Sequence, residues 1–417
     1  MRDWKQIQLG DHITVLTDYH ANGSYESLKK NVSLKHDPDF AIMIRTMNCE
    51  REDYEDDLIY LDEKEYNFLS KSKVYPNDVL MNKIANAGSV YIMPDLGRPV
   101  SLAMNLFLMR FDNKIDPRFM YYNMKHNEGY IKLYANGAAT STITKDSVRK
   151  LKFMVPDIGQ QKKISNLLFA YEAGIEKNNR LIKLLNRLIT ETYDHWFVAK
   201  GYAAENGISN IVVNKPNEWK SDELSKHVDL LRGIEPGSAS YSDKQLDGFV
   251  PFLRVGDLSK RSSDIYIDVM LAKDKLCQAT DVLISLDGSP GMVSVGMSGA
   301  YSSGIRKAVI KNPKFSKAHI YAYLQSSYIQ NLINAHATGA TILHAGSAVK
   351  YMKILCPPDE VLSKFDNVVS PCFDAILNIK NQNDLLREAF EILLPRLMTG
   401  IIDVENYKPS DFLKEAA

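Results

Sequence analysis

The sequence has little of several features that mark common classes of protein. Its four cysteines, Cys49, Cys277, Cys356 and Cys372, have irregular spacings. Such spacings form neither a disulfide framework nor a zinc-binding pattern, so we expect reduced thiols in a cytoplasmic protein. Long uncharged apolar runs are missing, and the first residues are polar. We therefore expect neither a membrane-spanning helix nor a signal peptide.

The chain also lacks an excess of charge of either sign. Lys and Arg together number 51, as do Asp and Glu, so the formal net charge is zero. A protein that coats nucleic acid needs clustered positive charge, so the balance argues against that class. It still allows a DNA-reading protein whose basic side chains are placed locally. The length of 417 residues predicts two to four domains, and a hydrophobic content of 45% is enough for several cores.

Catalytic motifs are missing as well. No Gly-x-x-x-x-Gly-Lys-Ser/Thr phosphate loop occurs, and Pro357-Pro358 lacks the preceding Asn or Asp with which adenine methyltransferases hold a flipped base. A loose match to a Mg²⁺-dependent nuclease remains in Asp95, Asp112 and Lys114, because two carboxylates and a lysine can bind the ion and orient water. The second half has no equivalent. We expect no catalytic site, cofactor or metal, and keep the nuclease as an alternative.

What the sequence does contain is a degenerate repeat of half its length. The matched positions, always in the same order, include Trp4 and Trp219, Asp78 and Asp281, Gly137 and Gly339, and the stretches 148–156 (VRKLKFMVP) and 349–357 (VKYMKILCP). The repeat is far longer than a solenoid unit, so it indicates two related domains.

Each half has the same internal order of predicted elements. Short β-rich segments come first, and a helical stretch, a Gly/Ala/Thr loop, a β segment ending in proline and a long helix follow. The predicted divisions are a first α/β domain (1–156), a long helix (157–199), a linker (200–217), a second α/β domain (218–357), a second long helix (358–400) and a C-terminal tail (401–417).

Both long helices carry an apolar seam in which the spacing alternates between three and four residues, the pattern of a coiled coil. The first seam is Ile164, Leu168, Tyr171, Ile175, Asn178, Ile182, Leu185, Ile189, Thr192 and Trp196. The second is Phe365, Val369, Cys372, Ile376, Ile379, Asn383, Leu386, Phe390, Leu393 and Leu397. Matched seams predict mutual pairing, although each helix could instead pack on its own domain. Pro371 predicts a break or kink in the second helix.

The single asparagine in each seam predicts the direction and register of this pairing. Parallel pairing in the repeat register would leave each amide opposite an isoleucine. Antiparallel pairing puts Trp196 opposite Phe365 and brings Asn178 opposite Asn383, where the two amides can hydrogen-bond and fix the register. The predicted fold is therefore α/β (α+β), with two pseudo-two-fold-related domains separated by two long antiparallel coiled-coil helices.

At this point the chain resembles the specificity subunit of type I restriction–modification systems. The order of domain and long helix, repeated once, is similar to that family over nearly the full length. Local stretches that carry the resemblance are 137–143 (GAATSTI), 160–164 (QQKKI), 281–285 (DVLIS) and 393–404 (LLPRLMTGIIDV).

The resemblance implies a specific assembly. Each target-recognition domain would read one half of a split site in double-stranded DNA, and the helices would hold the halves apart. Methyltransferase subunits, two of them, would dock on the coil and nearby surfaces, and motor–nuclease subunits would join them for cleavage. The chain itself would be a non-catalytic subunit of a DNA adenine methyltransferase complex. A scaffold whose duplicated domains bind protein instead of nucleic acid is the other alternative.

Direct readout of bases needs Arg or Lys for guanine, Asn or Gln for adenine, or Ser and Thr at base edges. The candidates in the first half are Arg45, Asn82, Lys83, Asn86, Asn105, Thr140, Ser141 and Thr142. The candidates in the second half are Arg254, Ser285, Ser289, Arg306, Lys307, Thr341 and His344. The loops at Gly137 and Gly339 are the best segments, because glycine lets the backbone approach a ligand closely. Since the two sets differ in chemistry, the half-sites should differ in sequence.

Overall fold

The protein is described here from a computed structural model that places residues 4–137, 140–202, 219–260 and 262–405, with the side chains of 199–202 excepted. The chain forms two compact units, one of Met1–Ala173 with Leu386–Ala417 and one of Gly174–Leu385. Residues 203–217 of the predicted linker and 406–417 of the predicted tail lie outside the described residues. Within the described ranges, no helix is long and apolar enough to span a membrane.

The first unit contains two four-stranded sheets and a separate strand pair. Its strands are β1 Lys5–Gln8, β2 Ile13–Asp18, β3 Ala41–Ile44, β4 Ile59–Leu61, β5 Lys73–Val74, β6 Val79–Asn82, β7 Val90–Ile92, β8 Val100–Leu102, β9 Leu106–Phe111 and β10 Lys152–Val155. Its helices are α1 Tyr25–Asn31, α2 Thr46–Arg51, α3 Glu63–Phe68, α4 Pro117–His126, α5 Glu128–Lys132, α6 Lys145–Lys150 and the first part of α7 Ile158–Tyr193. The sheets have the orders β2-β9-β6-β7 and β4-β3-β8-β5, and β1 pairs with β10.

The second unit is built from a corresponding set of elements. Its strands are β11 Lys220–Glu223, β12 Val228–Arg232, β13 Phe249–Leu253, β14 Tyr266–Asp268, β15 Leu276–Cys277, β16 Leu283–Ser285, β17 Asp287–Gly288, β18 Val293–Ser294, β19 Gly299–Tyr301, β20 Ile305–Ile310, β21 Leu343–His344 and β22 Lys353–Cys356. Its helices are α8 Asp257–Lys260, α9 Val269–Ala272, α10 Lys317–Gln325, α11 Ser327–His336 and the first part of α12 Asp359–Met398. A π-helical segment, Asp194–Tyr202, continues α7.

The topology of the first unit recurs in the second. The sheet orders β12-β20-β16-β18 and β14-β13-β19-β15 repeat those of the first unit, and β11 pairs with β22 as β1 does with β10. The parallel pair of β3 with β8 is matched by the parallel pair of β13 with β19. The duplication predicted from weak sequence matches is therefore present in the fold.

The two long helices bury the predicted seams. All ten seam positions of α7 and all ten of α12 are buried or half-buried. Ile164 packs into the core of the first unit with Leu397, whereas Ile189 packs into the core of the second unit with Phe365. The helices therefore pack on the domains as well as along the seam, so the two alternatives for the seams are both realised.

The helices run antiparallel within the second unit. The Trp196 ring lies 5.7 Å from the Phe365 ring. Nearer the other end of this unit's coil, the Asn178 Nδ2–H donates to Asn383 Oδ1 at 2.8 Å. The Asn383 Nδ2–H in turn donates to Asn179 Oδ1 at 2.9 Å. The contact that the antiparallel register requires is present, and its role in setting the register stays a prediction.

Of the break or kink expected in α12 at Pro371, the break is wrong, because the helix is continuous from Asp359 to Met398. A proline inside a helix costs about 3 kcal/mol. The flanking side chains of Val369, Phe373 and Ile376 are buried in the second unit's core. Burying each such side chain stabilises by roughly 1.5–3 kcal/mol, so core packing outweighs the proline and carries the helix through it.

Replacing both Asn178 and Asn383 by leucine is expected to stabilise the chain while loosening the register. The substitution exchanges a pair of amides, one buried and one half-buried, for apolar packing, and a buried asparagine gives a coil its register at a loss of stability. Denaturant unfolding measures the stability. Pulsed electron paramagnetic resonance between spin labels at the exposed positions 184 and 382 measures the register as the width of the distance distribution. Ile182→Leu keeps the amide pair and is the matched control. An unbroadened distribution in the double variant would show that the amides do not set the register.

Candidate nucleic-acid interface

Each unit presents a short loop that is closed by a pair of backbone hydrogen bonds. In the first unit, Asn136 and Thr142 exchange N–H···O bonds of 2.8 Å each. In the second unit, Thr338 and His344 exchange bonds of 3.0 and 2.8 Å. The two loops enclose the same number of residues at matched places in the repeat, so we call them hairpin 1 (136–142) and hairpin 2 (338–344).

A glycine makes the sharp turn of each hairpin possible. Gly137 and Gly339 both have a φ of +126°, which side chains with a Cβ rarely adopt. A Cβ on Gly137 would lie 2.3 Å from the Thr140 carbonyl oxygen, and one on Gly339 would lie 2.0 Å from that of Ile342. Neither position can hold another residue without rearranging the hairpin.

Hairpin 1 is fixed to the segment that follows β6. The Ala85 N–H donates to the Ser141 carbonyl at 3.0 Å, and the Ile143 N–H donates to the Lys83 carbonyl at 3.0 Å. The Lys83 N–H in turn donates to the Asn105 carbonyl at 2.8 Å. Three regions that are distant in sequence, and that each contain predicted DNA-reading residues, therefore meet at this place.

Hairpin 2 is fixed in the corresponding way to the segment after β16. Asp287 pairs with His344, and Gly288 pairs with Leu343, as the antiparallel strands β17 and β21. The Ser289 N–H donates to the Asp287 carbonyl at 3.1 Å, so Ser289 lies beside this pairing. In both units, the glycine-turned hairpin is thus held against the end of a central strand of the sheet.

A largely buried carboxylate gathers two lysines beside hairpin 1. Asp18 Oδ2 accepts from Lys83 Nζ at 3.0 Å, and Asp18 Oδ1 lies 3.3 Å from Lys145 Nζ. Both ammonium groups lie over the ring of Phe107. Burial raises the pKa of the Asp18 carboxyl, but the hydrogen bond and charge of Lys83, with the charge of Lys145, hold the pKa below its ordinary value. The carboxyl is therefore ionised, and the two cations are fixed in place.

Beside hairpin 2, a second carboxylate, that of Asp287, contacts a histidine and an arginine. Asp287 Oδ1 accepts from His344 Nδ1 at 2.8 Å, and Asp287 Oδ2 lies 3.6 Å from Arg306 Nη2. Burial lowers the pKa of Arg306, the charge of Asp287 opposes this, and the charge of Arg232 adds to the lowering. Because arginine starts from so high a value, its guanidinium stays charged.

Corresponding strand pairs in the two units carry different charges at the two sites. In the first unit, β2 and β9 pair Asp18 with Phe107. In the second unit, the corresponding strands β12 and β20 pair Arg232 with Arg306. One strand pair thus contributes an anion and an aromatic ring, whereas its counterpart contributes two cations. The two sites share a backbone frame and differ in charge.

The structure leaves about half of the predicted DNA-reading side chains in contact with solvent at these sites. The exposed ones are Asn86, Asn105, Thr140, Thr142, Ser289, Thr341 and His344, and Ser141 is half-buried. Hairpin 2 also exposes Ile342 and Leu343, which sequence reasoning had passed over. Apolar side chains of this kind can contact the methyl group of thymine.

Three predicted residues point into the protein. Asn82 and Ser285, at the ends of β6 and β16, have no exposed surface, and Arg306 has 9%. Asn82 Nδ2 donates to Glu50 and Tyr91. Side chains this buried cannot reach a base edge, so the expectation of direct contact is corrected to a supporting role. The reason is that β6 and β16 are central strands whose residues are buried on both faces, and the sequence did not reveal that these polar residues end such strands.

The remaining predicted cations are tied to neighbouring groups. Arg45 forms an ion pair with Asp57, and Arg254 forms one with Asp257. Lys307 Nζ donates to the Leu276 carbonyl at 2.6 Å. Since consecutive strand residues face opposite sides of a sheet, Lys307 lies on the other face from Arg306 and away from hairpin 2.

The carboxylates of the nuclease alternative have local roles. Asp95 Oδ1 accepts from the Gly97 N–H at 2.9 Å in a turn. Asp112 accepts from the Lys114 N–H at 2.9 Å and pairs with His12 at 3.0 Å. In the part of the chain that the structure describes, no group of three or more His, Cys, Asp or Glu side chains is arranged to hold a metal ion.

Comparison with known proteins agrees with this architecture. Residues 1–187 match the family described as the type I restriction modification DNA specificity domain. The MjaIX specificity subunit of Methanocaldococcus jannaschii is 24% identical over 305 residues, which are 69% of each chain. The HindI specificity subunit of Haemophilus influenzae is 21% identical over 479 residues, covering 96% of this chain and all of that one.

A solved structure shows the same fold over almost the whole chain. The type I restriction–modification S subunit from M. genitalium aligns with a TM-score of 0.55 at 12% identity, over 95% of this chain and 96% of that one. The duplicated topology, the two long helices and the sequence relatives all agree. Residues 1–187 carry a match to the DNA specificity domain, and the chain as a whole is similar to the specificity subunits of type I restriction–modification systems.

Proposed function

We propose that this chain acts as a specificity subunit in which each unit reads one half of a bipartite site in double-stranded DNA. The observation that carries the proposal is the recurrence of one frame with two chemistries. Both units hold a glycine-turned hairpin against the end of a central strand, but lysines flank hairpin 1, whereas a histidine and an arginine flank hairpin 2. Two half-sites of different sequence follow from this difference.

The groups on the hairpins, and the half-buried lysines beside hairpin 1, suit the two tasks of a DNA-binding surface. Lysines such as Lys83 and Lys145 can contact phosphates, which positions the protein on the duplex. The hydroxyls of Thr140, Thr142 and Thr341 can hydrogen-bond to base edges in a groove. The coil of α7 and α12 sets the spacing between the half-sites, since spacing in two-fold DNA-binding proteins follows protein geometry.

Catalysis in this proposal belongs to partner subunits. The relatives are named as subunits of restriction enzymes, and this chain carries no net charge. A neutral chain makes few phosphate contacts, so it gains DNA affinity from partners that close around the duplex. Two methyltransferase subunits bind the coil and modify adenine, and motor–nuclease subunits join them for cleavage. The chain itself acts by binding, without a cofactor.

The test is an exchange of recognition domains read out by methylation mapping of genomic DNA. Replacing residues 4–155 with the equivalent segment of a relative of different specificity should change one half of the methylated sequence and leave the other half and the spacer length unchanged. The reciprocal exchange of residues 219–356 is the matched control and should change only the other half. Changes in both halves from one exchange would contradict the proposal. If no methylation in the genome depends on this chain, the result would favour the alternative of a scaffold that binds protein.

A further inference from the structure

His344 is held in place through both its backbone and its side chain. Its backbone N–H and carbonyl pair with Thr338 across hairpin 2, and its neighbour across the strands β17 and β21 is Asp287. Its Nδ1 bonds to the carboxylate of that same Asp287 at 2.8 Å. The side chain is nevertheless 60% exposed. A side chain fixed at one ring nitrogen and open at the other is arranged to meet a ligand.

Asp287 is in turn fixed by Arg306. The guanidinium of Arg306 lies 3.6 Å from the second carboxylate oxygen and donates through Nη1 to the backbone carbonyls of Ser303 and Ile305. A Cβ on Gly346, just after hairpin 2, would lie 3.7 Å from Arg306 Nη2. Since Arg306 is almost completely buried, it holds Asp287 in place, and Asp287 in turn holds His344.

These contacts determine which ring nitrogen of His344 carries the proton. An ionised carboxylate can only accept hydrogen bonds, so Nδ1 must be the protonated nitrogen. In the neutral ring, Nε2 is then an acceptor. The acceptor's natural partner on a base edge in the major groove is an exocyclic amino group, which adenine and cytosine carry and guanine and thymine do not present there.

We propose that His344 reads the amino group of an adenine or a cytosine through Nε2, with Asp287 and Arg306 as positioning residues. The proposal rests on the proposed function, because it assigns one determinant to the half-site that the second unit reads. In the first unit, the residue at the same place in the hairpin is Thr142. Its backbone bridges to Ile84, where the second unit has Asp287, so the device belongs to the second unit alone.

The experiment deletes the amino group from the DNA and the imidazole from the protein. The complex of the full chain with its methyltransferase subunits is bound to duplexes that carry the mapped site, at pH 8, at which histidine side chains are ordinarily neutral. Purine replaces adenine, or pyrimidin-2-one replaces cytosine, at one position at a time. At one position, the wild type should lose roughly 5- to 150-fold in affinity. The base at that position distinguishes adenine from cytosine.

The protein variants then assign the effect. His344→Ala should bind the intact site more weakly by a similar factor and should not respond to the missing amino group. His344→Gln should recover part of the response, because its amide oxygen is an acceptor. Asp287→Asn should lose the response although it does not touch the DNA, because an amide can donate to Nδ1 and move the ring proton to Nε2. Asp229→Asn, whose carboxylate pairs with Lys311 in the same unit, is the matched control and should respond like the wild type.

Two outcomes would overturn the proposal. One is a His344→Ala complex that still responds to the missing amino group as the wild type does. The other is an equal loss of affinity for all sequences, which would make His344 a phosphate contact. Failure of the proposed function gives a different result, in which the wild-type complex shows no sequence preference at any position.

Discussion

His319→Phe is expected to make the second unit markedly more resistant to acid. His319 lies on α10 with no exposed surface, and its ring is packed among those of Tyr193, Phe197, Phe315 and Phe365. Neither ring nitrogen has a hydrogen-bond partner among the described residues. Burial in this apolar site lowers the pKa of His319 from 6.5 to about 3.

The direction of the pH effect follows from this shift. Between pH 6.5 and 3, the unfolded chain binds a proton at His319 that the folded chain does not bind. The stability that the neutral ring provides is complete above pH 6.5 and is lost as the pH falls to about 3, by up to about 5 kcal/mol. A domain has only 5–15 kcal/mol in total, so this loss is large. Phenylalanine cannot be protonated and removes the loss.

The repeat supplies the matched control for this prediction. Phe119 occupies the same place, three residues after the capping residue of α4, and is likewise fully buried. Phe119→His should transfer the acid sensitivity to the first unit. The measurement is denaturant unfolding between pH 3 and 8, with hydrogen exchange in α4 and α10 to separate the units. Equal pH dependence of His319→Phe and wild type would show that His319 is not the acid-sensitive group.

Gly339→Ala and Gly137→Ala are expected to abolish recognition of one half-site each. In both hairpins, an alanine Cβ would collide with a backbone carbonyl oxygen in a conformation that only glycine adopts freely. Such strain costs about 1–3 kcal/mol, which an exposed hairpin relieves by changing shape. The unit should therefore stay folded while the exposed groups of its hairpin lose their positions.

Methylation mapping with these variants measures the effect. Gly339→Ala should relax the sequence requirement only in the half-site of the second unit, and Gly137→Ala only in the other. Gly129→Ala and Gly256→Ala are controls in the first and second unit, since a Cβ at either meets no atom within 4 Å. If a hairpin variant methylates the original sequence with unchanged selectivity, that hairpin does not take part in recognition.

The long-range organisation of this protein could be predicted because it follows from periodicity. The spacing of apolar residues placed both seams, and the lone asparagine in each gave the pairing direction that Asn178 and Asn383 show. The two hairpin glycines could also be found, since a matched glycine between helix and strand marks a required turn. Such signals are local or periodic, and a sequence displays them directly.

The chemistry of the sites could be predicted only in part. Asp18 and Asp287 are single carboxylates whose partners come from other strands and loops, so only the folded sheet reveals the clusters. Arg306 has the composition of a surface residue, yet strand pairing turns it inward. Pro371 predicted a break that α12 does not have, because tertiary packing outweighed the local preference of proline.

The division of the chain into units has a consequence for its synthesis. The second unit is one continuous segment, Gly174–Leu385, whereas the first is completed by residues from Leu386 onward. Leu393 and Leu397, from the end of α12, are fully buried in the core of the first unit. The segment of the first unit that precedes Gly174 is therefore synthesised before the second unit, but its core is complete only after Leu393 and Leu397 have been made. A stop codon between Leu385 and Leu393 is expected to remove core residues from the first unit while leaving the second unit whole.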